Sequence, residues 1–84
     1  MKYTVEIASS AQRQFKKLPE VIQEHLIPKI LSLETNPRPS GVKKLQVFEY
    51  YRIRIGDYRV VYSINDKAHL INILDLGHRK DIYR

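Results

Sequence analysis

The sequence predicts an α+β domain of order β-α-α-β-β-β, an antiparallel sheet with two N-terminal helices packed on one face. Three observations carry that prediction. Short runs near the N-terminus and through the second half alternate apolar and polar residues, the period of a strand with one buried face. Between them lie two stretches with apolar residues at helical spacing. The chain of 84 residues has room for one such domain and no second, so residues 1–84 are read as a single unit.

Taken in order, Tyr3, Val5 and Ile7 alternate with Lys2, Thr4 and Glu6 to give the first strand. Ser9 and Ser10 follow as helix N-caps. Ala11, Phe15 and Leu18 fall on one helical face, with Arg13, Lys16 and Lys17 on the solvated side. Pro19 closes this helix or opens the next. The second helix runs from about Glu20 to Leu33 on the stripe Ile22, Leu26, Ile30 and Leu33. Pro28 lies inside it and predicts a kink or break. Asn36-Pro37-Arg38-Pro39-Ser40-Gly41 is a hard stop. Tyr51, Ile53 and Ile55 then alternate with Arg52 and Arg54, and Gly56-Asp57 turns the chain into Tyr58–Ile64. After Asn65-Asp66-Lys67, the Ile- and Leu-rich run Leu70–Leu76 reads as a central strand buried on both faces. Tight turns between these last strands make an antiparallel meander, with the N-terminal strand free to join its edge. Each helix has one apolar stripe to bury, so both cover one face of the sheet.

Composition narrows the function. Lys plus Arg total 15 against 9 Asp plus Glu, a formal net charge of +6 that favours an anionic partner. With 43% hydrophobic and 29% charged residues the chain is not of disordered type. The absence of cysteine excludes disulfides, a thiolate nucleophile and any Cys-based zinc site. The histidines, at 25, 69 and 78, show no metal-ligand spacing, and neither metal nor cofactor is expected. No apolar run approaches the roughly 20 residues that span a bilayer, and no signal-peptide core is visible. The expectation is a soluble, cytoplasmic protein without a membrane partner.

The most informative residues are Arg52, Arg54 and Arg59. Arg52 and Arg54 project from one strand face, and Arg59 joins them across the Gly56-Asp57 turn. Three guanidiniums on one face repel unless an anion lies between them, and phosphate fits their planar forks. Solvated strand arginines, or a pair with Glu49 or Asp57, are the plainer alternatives for any one of them. A second concentration is Gly77-His78-Arg79-Lys80-Asp81-Ile82-Tyr83-Arg84. It sets an imidazole, a phenol and cations just beyond a buried strand, groups that move protons or stack on a base. An ordinary polar tail with Ile82 and Tyr83 docked on the domain is the alternative. Lys43 and Lys44 read as a solvated basic loop suited to a phosphate backbone. His25 and His69 read as structural or solvent-facing, and of Tyr50 and Tyr51 one packs and one faces out.

The stretch Tyr51-Arg-Ile-Arg-Ile-Gly-Asp-Tyr-Arg-Val-Val-Tyr62, followed by Leu76-Gly-His-Arg-Lys-Asp-Ile-Tyr83, resembles the RelE/ParE superfamily of type II toxin–antitoxin toxins. Phe15-Lys-Lys-Leu-Pro19 and Pro39-x-Gly41-x-Lys-Lys-Leu45 extend the resemblance over essentially the whole chain. It implies a RelE-like microbial RNase fold. In that superfamily the RelE branch cleaves messenger RNA in the ribosomal A site without a metal, and the ParE branch inhibits DNA gyrase. The basic positions of the RelE strand fall on Arg52 and Arg54. The Gly-x-Tyr-Arg arginine falls on Arg59, that of the C-terminal motif on Arg79, and the terminal tyrosine on Tyr83. These matches favour the nuclease branch.

The best-known RelE toxins carry lysines where this chain has Arg52 and Arg54. Lysine can serve as a base when its pKa is depressed, whereas arginine stays protonated and can only stabilise charge. The resemblance therefore implies that Arg52, Arg54, Arg59 and Arg79 neutralise the scissile phosphate while Tyr83 and His78 move protons or orient the nucleotide. Lys43, Lys44, Lys80 and Arg84 would hold RNA at longer range. The implied partners are the ribosome with its mRNA and a cognate antitoxin, whose acidic segment would wrap the basic surface in a hetero-oligomer. Gyrase inhibition by protein binding is the alternative, and a degenerate toxin acting as transcriptional co-regulator a third.

Overall fold

The computed structural model describes residues 2–45 and 50–78. The elements are β1 (Thr4–Ile7), α1 (Ser9–Lys16), α2 (Glu20–Leu31) with a 3-10 turn (Ser32–Glu34), β2 (Lys43–Lys44), β3 (Tyr50–Ile55), β4 (Tyr58–Asn65) and β5 (Leu70–His78). They build one five-stranded sheet in the order β1-β5-β4-β3-β2. Ala11, Leu26, Ile30 and Leu33 from the helical layer pack on Ile53, Ile55, Val60, Tyr62, Ile71, Ile73 and Leu76 of the sheet. The helices thus cover one face, as their single stripes require.

The α+β class holds, with refinements that have physical causes. The sheet is mixed rather than wholly antiparallel. β1 does join an edge, but it pairs in parallel with β5, Thr4 opposite Leu70 and Ile7 opposite Ile73. The helical pair leads from β1 to β2 at the opposite edge, and β3, β4 and β5 then bring the chain back beside β1 in the parallel sense. Lys43 and Lys44, expected in a loop, form an extra short strand against Arg52 and Tyr51. The Leu70–Leu76 run does lie inside the sheet, between β1 and β4, but it is not buried on both faces. β5 buries only its helix-side residues, while Asn72 and Asp75 on its other face are half-buried. A bulge between Val61 and Tyr62 leaves Leu74 out of register, which is why Ile71, Ile73 and Leu76 all point inward.

Ser9 and Ser10 lie inside α1, and Ala8 is its N-cap with no side-chain hydrogen bond. Pro19 opens the second helix from the N-cap position, where its carbonyl accepts from the amides of Ile22 and Gln23. Pro28 does not break α2, which continues to Leu31. Pro28 and Glu24 are both exposed, so water can satisfy the Glu24 carbonyl that loses its donor. Tyr51 packs and Tyr50 is exposed. His25 is exposed on α2, and His69 ends a turn with φ 53° and its ring 5.1 Å from Tyr3.

Candidate functional site

The β3–β4 hairpin sets the site. Gly56, with φ 60°, occupies the first of two turn positions, where a type II′ hairpin needs a positive φ. That turn closes on the pair Ile55–Tyr58 and so places Arg54 directly opposite Arg59. Directly opposed residues share a face, and Arg52, two residues along, shares it too. Lys43 stands opposite Arg52 on the other side. Gly77 lies opposite Arg59 on β5 and presents no side chain there. Lys43, Arg52, Arg54 and Arg59, with Gly41, line a cavity of about 220 Å³ on the face away from the helices.

Two features mark this cluster. Arg59 is only 2% exposed, so its guanidinium has given up most of its water while facing another cation. Among the described residues, no carboxylate lies within ion-pair distance of Arg54 or Lys43, which removes Asp57 as a partner for Arg54; Glu49 lies outside the described residues. Like charges held together in a desolvated groove raise its affinity for an anion. The cavity is of a size for a phosphate group, which guanidiniums bond in pairs.

The structure does not bring every expected residue here. Lys44 faces away, on the side of Tyr51. His78 stands opposite Tyr58, hence on the helix side of the sheet, its ring edge-on to Tyr58 at 5.4 Å. It lines a separate cavity with Gln14, Lys17 and Leu18. The convergence of His78 with the arginines is not met, because strand parity sends Gly77 to the arginine face and His78 to the other. Arg79, Lys80, Tyr83 and Arg84 lie outside the described residues.

One arrangement escaped sequence reasoning. Arg38, between two prolines, grips Asp66 in bidentate fashion at 3.2 and 3.0 Å. Its Nε donates to the Tyr51 hydroxyl at 3.2 Å, and its guanidinium lies 5.1 Å from the Tyr51 ring centre. The Tyr3 hydroxyl donates to Asp66 at 2.6 Å. These bonds, Arg38's first, hold the Asp66 carboxyl below its ordinary range. Tyr62, stacked on Tyr51, donates its hydroxyl to the Pro37 carbonyl at 2.7 Å. Burial pushes the Tyr62 phenol up to about 12. The Asn36–Gly41 loop is thereby fastened to the sheet, and it delivers Gly41 and Lys43 to the groove. Nothing in the sequence joins Arg38 to Asp66, 28 residues away.

Residues 5–83 match the family model described as the ParE toxin of type II toxin-antitoxin system, parDE. The chain is 34% identical over 84 residues to the Toxin RelE of Mycobacterium tuberculosis, covering 98% of this chain and 87% of that one. It is 24% identical over 82 residues to the mRNA interferase toxin RelE of Escherichia coli, covering 95% of this chain and 86% of that one. It superposes on the archaeal RelE–RelB complex from Pyrococcus horikoshii with a TM-score of 0.83 and 35% identity, covering 94% of this chain and 97% of that one. Matches of this span place the chain: it belongs to the RelE/ParE superfamily of type II toxin–antitoxin toxins.

Proposed function

We propose that this toxin is a ribosome-dependent, metal-independent endoribonuclease that cleaves mRNA in the A site. The observation that carries this reading is the cationic groove of Lys43, Arg52, Arg54 and Arg59. In the reaction the 2′-hydroxyl of one nucleotide gives up its proton as its oxygen attacks the adjoining phosphorus, and the bond to the 5′-oxygen breaks as that oxygen takes up a proton, leaving a 2′,3′-cyclic phosphate and a 5′-hydroxyl. Arg52, Arg54 and Arg59, joined by Arg79, stabilise the added charge of the phosphorane, the part a metal plays elsewhere. None of them takes a proton. Of the two proton carriers expected, Tyr83 is favoured, since His78 is engaged with Tyr58 on the opposite face. Single-turnover cleavage of ribosome-bound mRNA separates them: Tyr83→Phe should slow the cut and His78→Ala should not. Lys43, Lys80 and Arg84 add longer-range attraction for RNA, with Lys44 a weaker contributor.

The antitoxin is proposed to cover this groove with an acidic segment. Val21, Ile27 and Leu31, exposed on α2, offer apolar anchorage for the rest of such a chain. The similarity to a RelE–RelB complex supports a partner of this type.

The match to a ParE model supports a second reading, gyrase inhibition by binding alone. The order of events after induction in cells decides. Immediate loss of protein synthesis with cut mRNA supports the nuclease. Replication arrest with intact mRNA reverses the choice, and unimpaired growth favours a degenerate toxin.

A further inference from the structure

A second cavity, about 450 Å³, adjoins the cationic groove and shares Arg54 and Gly41 with it. It lies between α2, the Pro39–Gly41 segment and the end of β3. Its rim carries His25 and Lys29, both exposed on α2, together with Arg54. Its floor is apolar, from Ile53, Ile55 and Pro39.

β2 ends opposite Arg52, so beyond that point β3 has no strand on its outer side among the described residues. The hydrogen bond from the Leu45 amide to the Tyr50 carbonyl, 2.8 Å, shows that even-numbered residues of β3 turn their backbone groups to that side. Arg54 therefore presents one N–H and one C=O toward this cavity. An adjacent donor and acceptor beside an apolar floor suits the edge of a nucleobase, and the cationic rim suits the phosphate attached to it.

We propose that this cavity is a nucleotide subsite for the residue of the RNA next to the scissile phosphate, its phosphate held by Lys29 and Arg54 and its base read by the Arg54 backbone together with the His25 imidazole on the rim. The inference rests on the nuclease reading and adds to it a source of sequence preference. An unpaired strand edge also suits an added peptide strand. The cations on both walls and the continuity with the phosphate groove favour RNA.

The test is the double variant His25→Ala/Lys29→Ala, compared with Arg13→Ala/Lys16→Ala, which removes cations elsewhere on the surface. Both are assayed for cleavage of a mixed mRNA pool on purified ribosomes, with cut sites sequenced. All four positions are exposed, so melting temperatures should match the parent. The subsite predicts that KM rises about tenfold, the loss of one charge-assisted contact. It also predicts that the saturating rate stays within about twofold and that preference for the nucleotide beside the cut flattens in the first variant only. Equal effects of both variants, or unchanged preference, would overturn it. Unchanged cleavage with antitoxin binding weakened about tenfold would assign the cavity to a peptide and also overturn it. A parent that cuts no mRNA would remove the nuclease reading and the subsite together.

Discussion

Two arginine sites face opposite ends of the sheet and are built on opposite electrostatic terms. Arg38 meets Asp66 in a bidentate bridge, stacks on Tyr51 and stays 43% exposed in its side chain. Arg59 is 2% exposed and stands directly opposite Arg54, with Arg52 and Lys43 alongside. The first arrangement is what a fold uses to fasten a loop: each charge finds its complement and little water is lost. The second opposes like charges across a ladder, which destabilises a sheet. A fold that keeps such a cluster holds a site suited to an anion. Substitution should therefore move stability and activity together at Arg38 and apart at Arg59.

The largest effect expected is at Arg59. Replacing it by leucine should cut mRNA cleavage by about 10²- to 10³-fold, while the melting temperature holds or rises as repulsion with Arg54 disappears. A variant that melts far below the parent would make Arg59 structural and break the contrast. Next is Arg54→Ala, for which activity should fall by about 10- to 100-fold and melting should again not drop. At the clasp, Tyr62→Phe should cost about 1 kcal/mol through the lost bond to Pro37, read by denaturant unfolding. An unfolded tyrosine ionises near 10, whereas Tyr62 in the fold keeps its proton up to about 12. Stability should thus fall as pH rises between those values, and Tyr62→Phe should lose much of that slope. The smallest effect is Asp66→Asn. Its carboxyl is held low by Arg38 and Tyr3, so the clasp's contribution is whole above about pH 4 and fades as pH falls below it. The variant should melt slightly lower at neutral pH, show a flatter acid limb and cleave slightly more slowly, as the loosened loop holds Gly41 and Lys43 less firmly at the groove.

Much of this contrast is legible in sequence. Alternation placed Arg52 and Arg54 on one face, and the Gly56-Asp57 turn brought Arg59 to them, because hairpin geometry is local. The helical stripe Leu26, Ile30 and Leu33 was legible for the same reason. What escaped depends on long-range register. Nothing local states that β1 runs parallel to β5, or that Lys43 pairs with Arg52. The placement of His78 did leave a trace: the inward residues Ile71, Ile73 and Leu76 are spaced two and then three apart, which signals a bulge and sends His78 to the helix side. Arg38 left none, since its partner follows after the whole β3–β4 hairpin.

A basic groove that holds a phosphate while the neighbouring 2′-oxygen attacks it leaves a chemical signature on the message. The most direct measurement uses a ribosome stalled with an empty A site on a labelled mRNA, and purified toxin. One cut is expected in the A-site codon, with a 2′,3′-cyclic phosphate at the new end and no cut when that nucleotide carries a 2′-deoxy sugar. An intact message, or a cut that ignores the 2′-deoxy substitution, would contradict it.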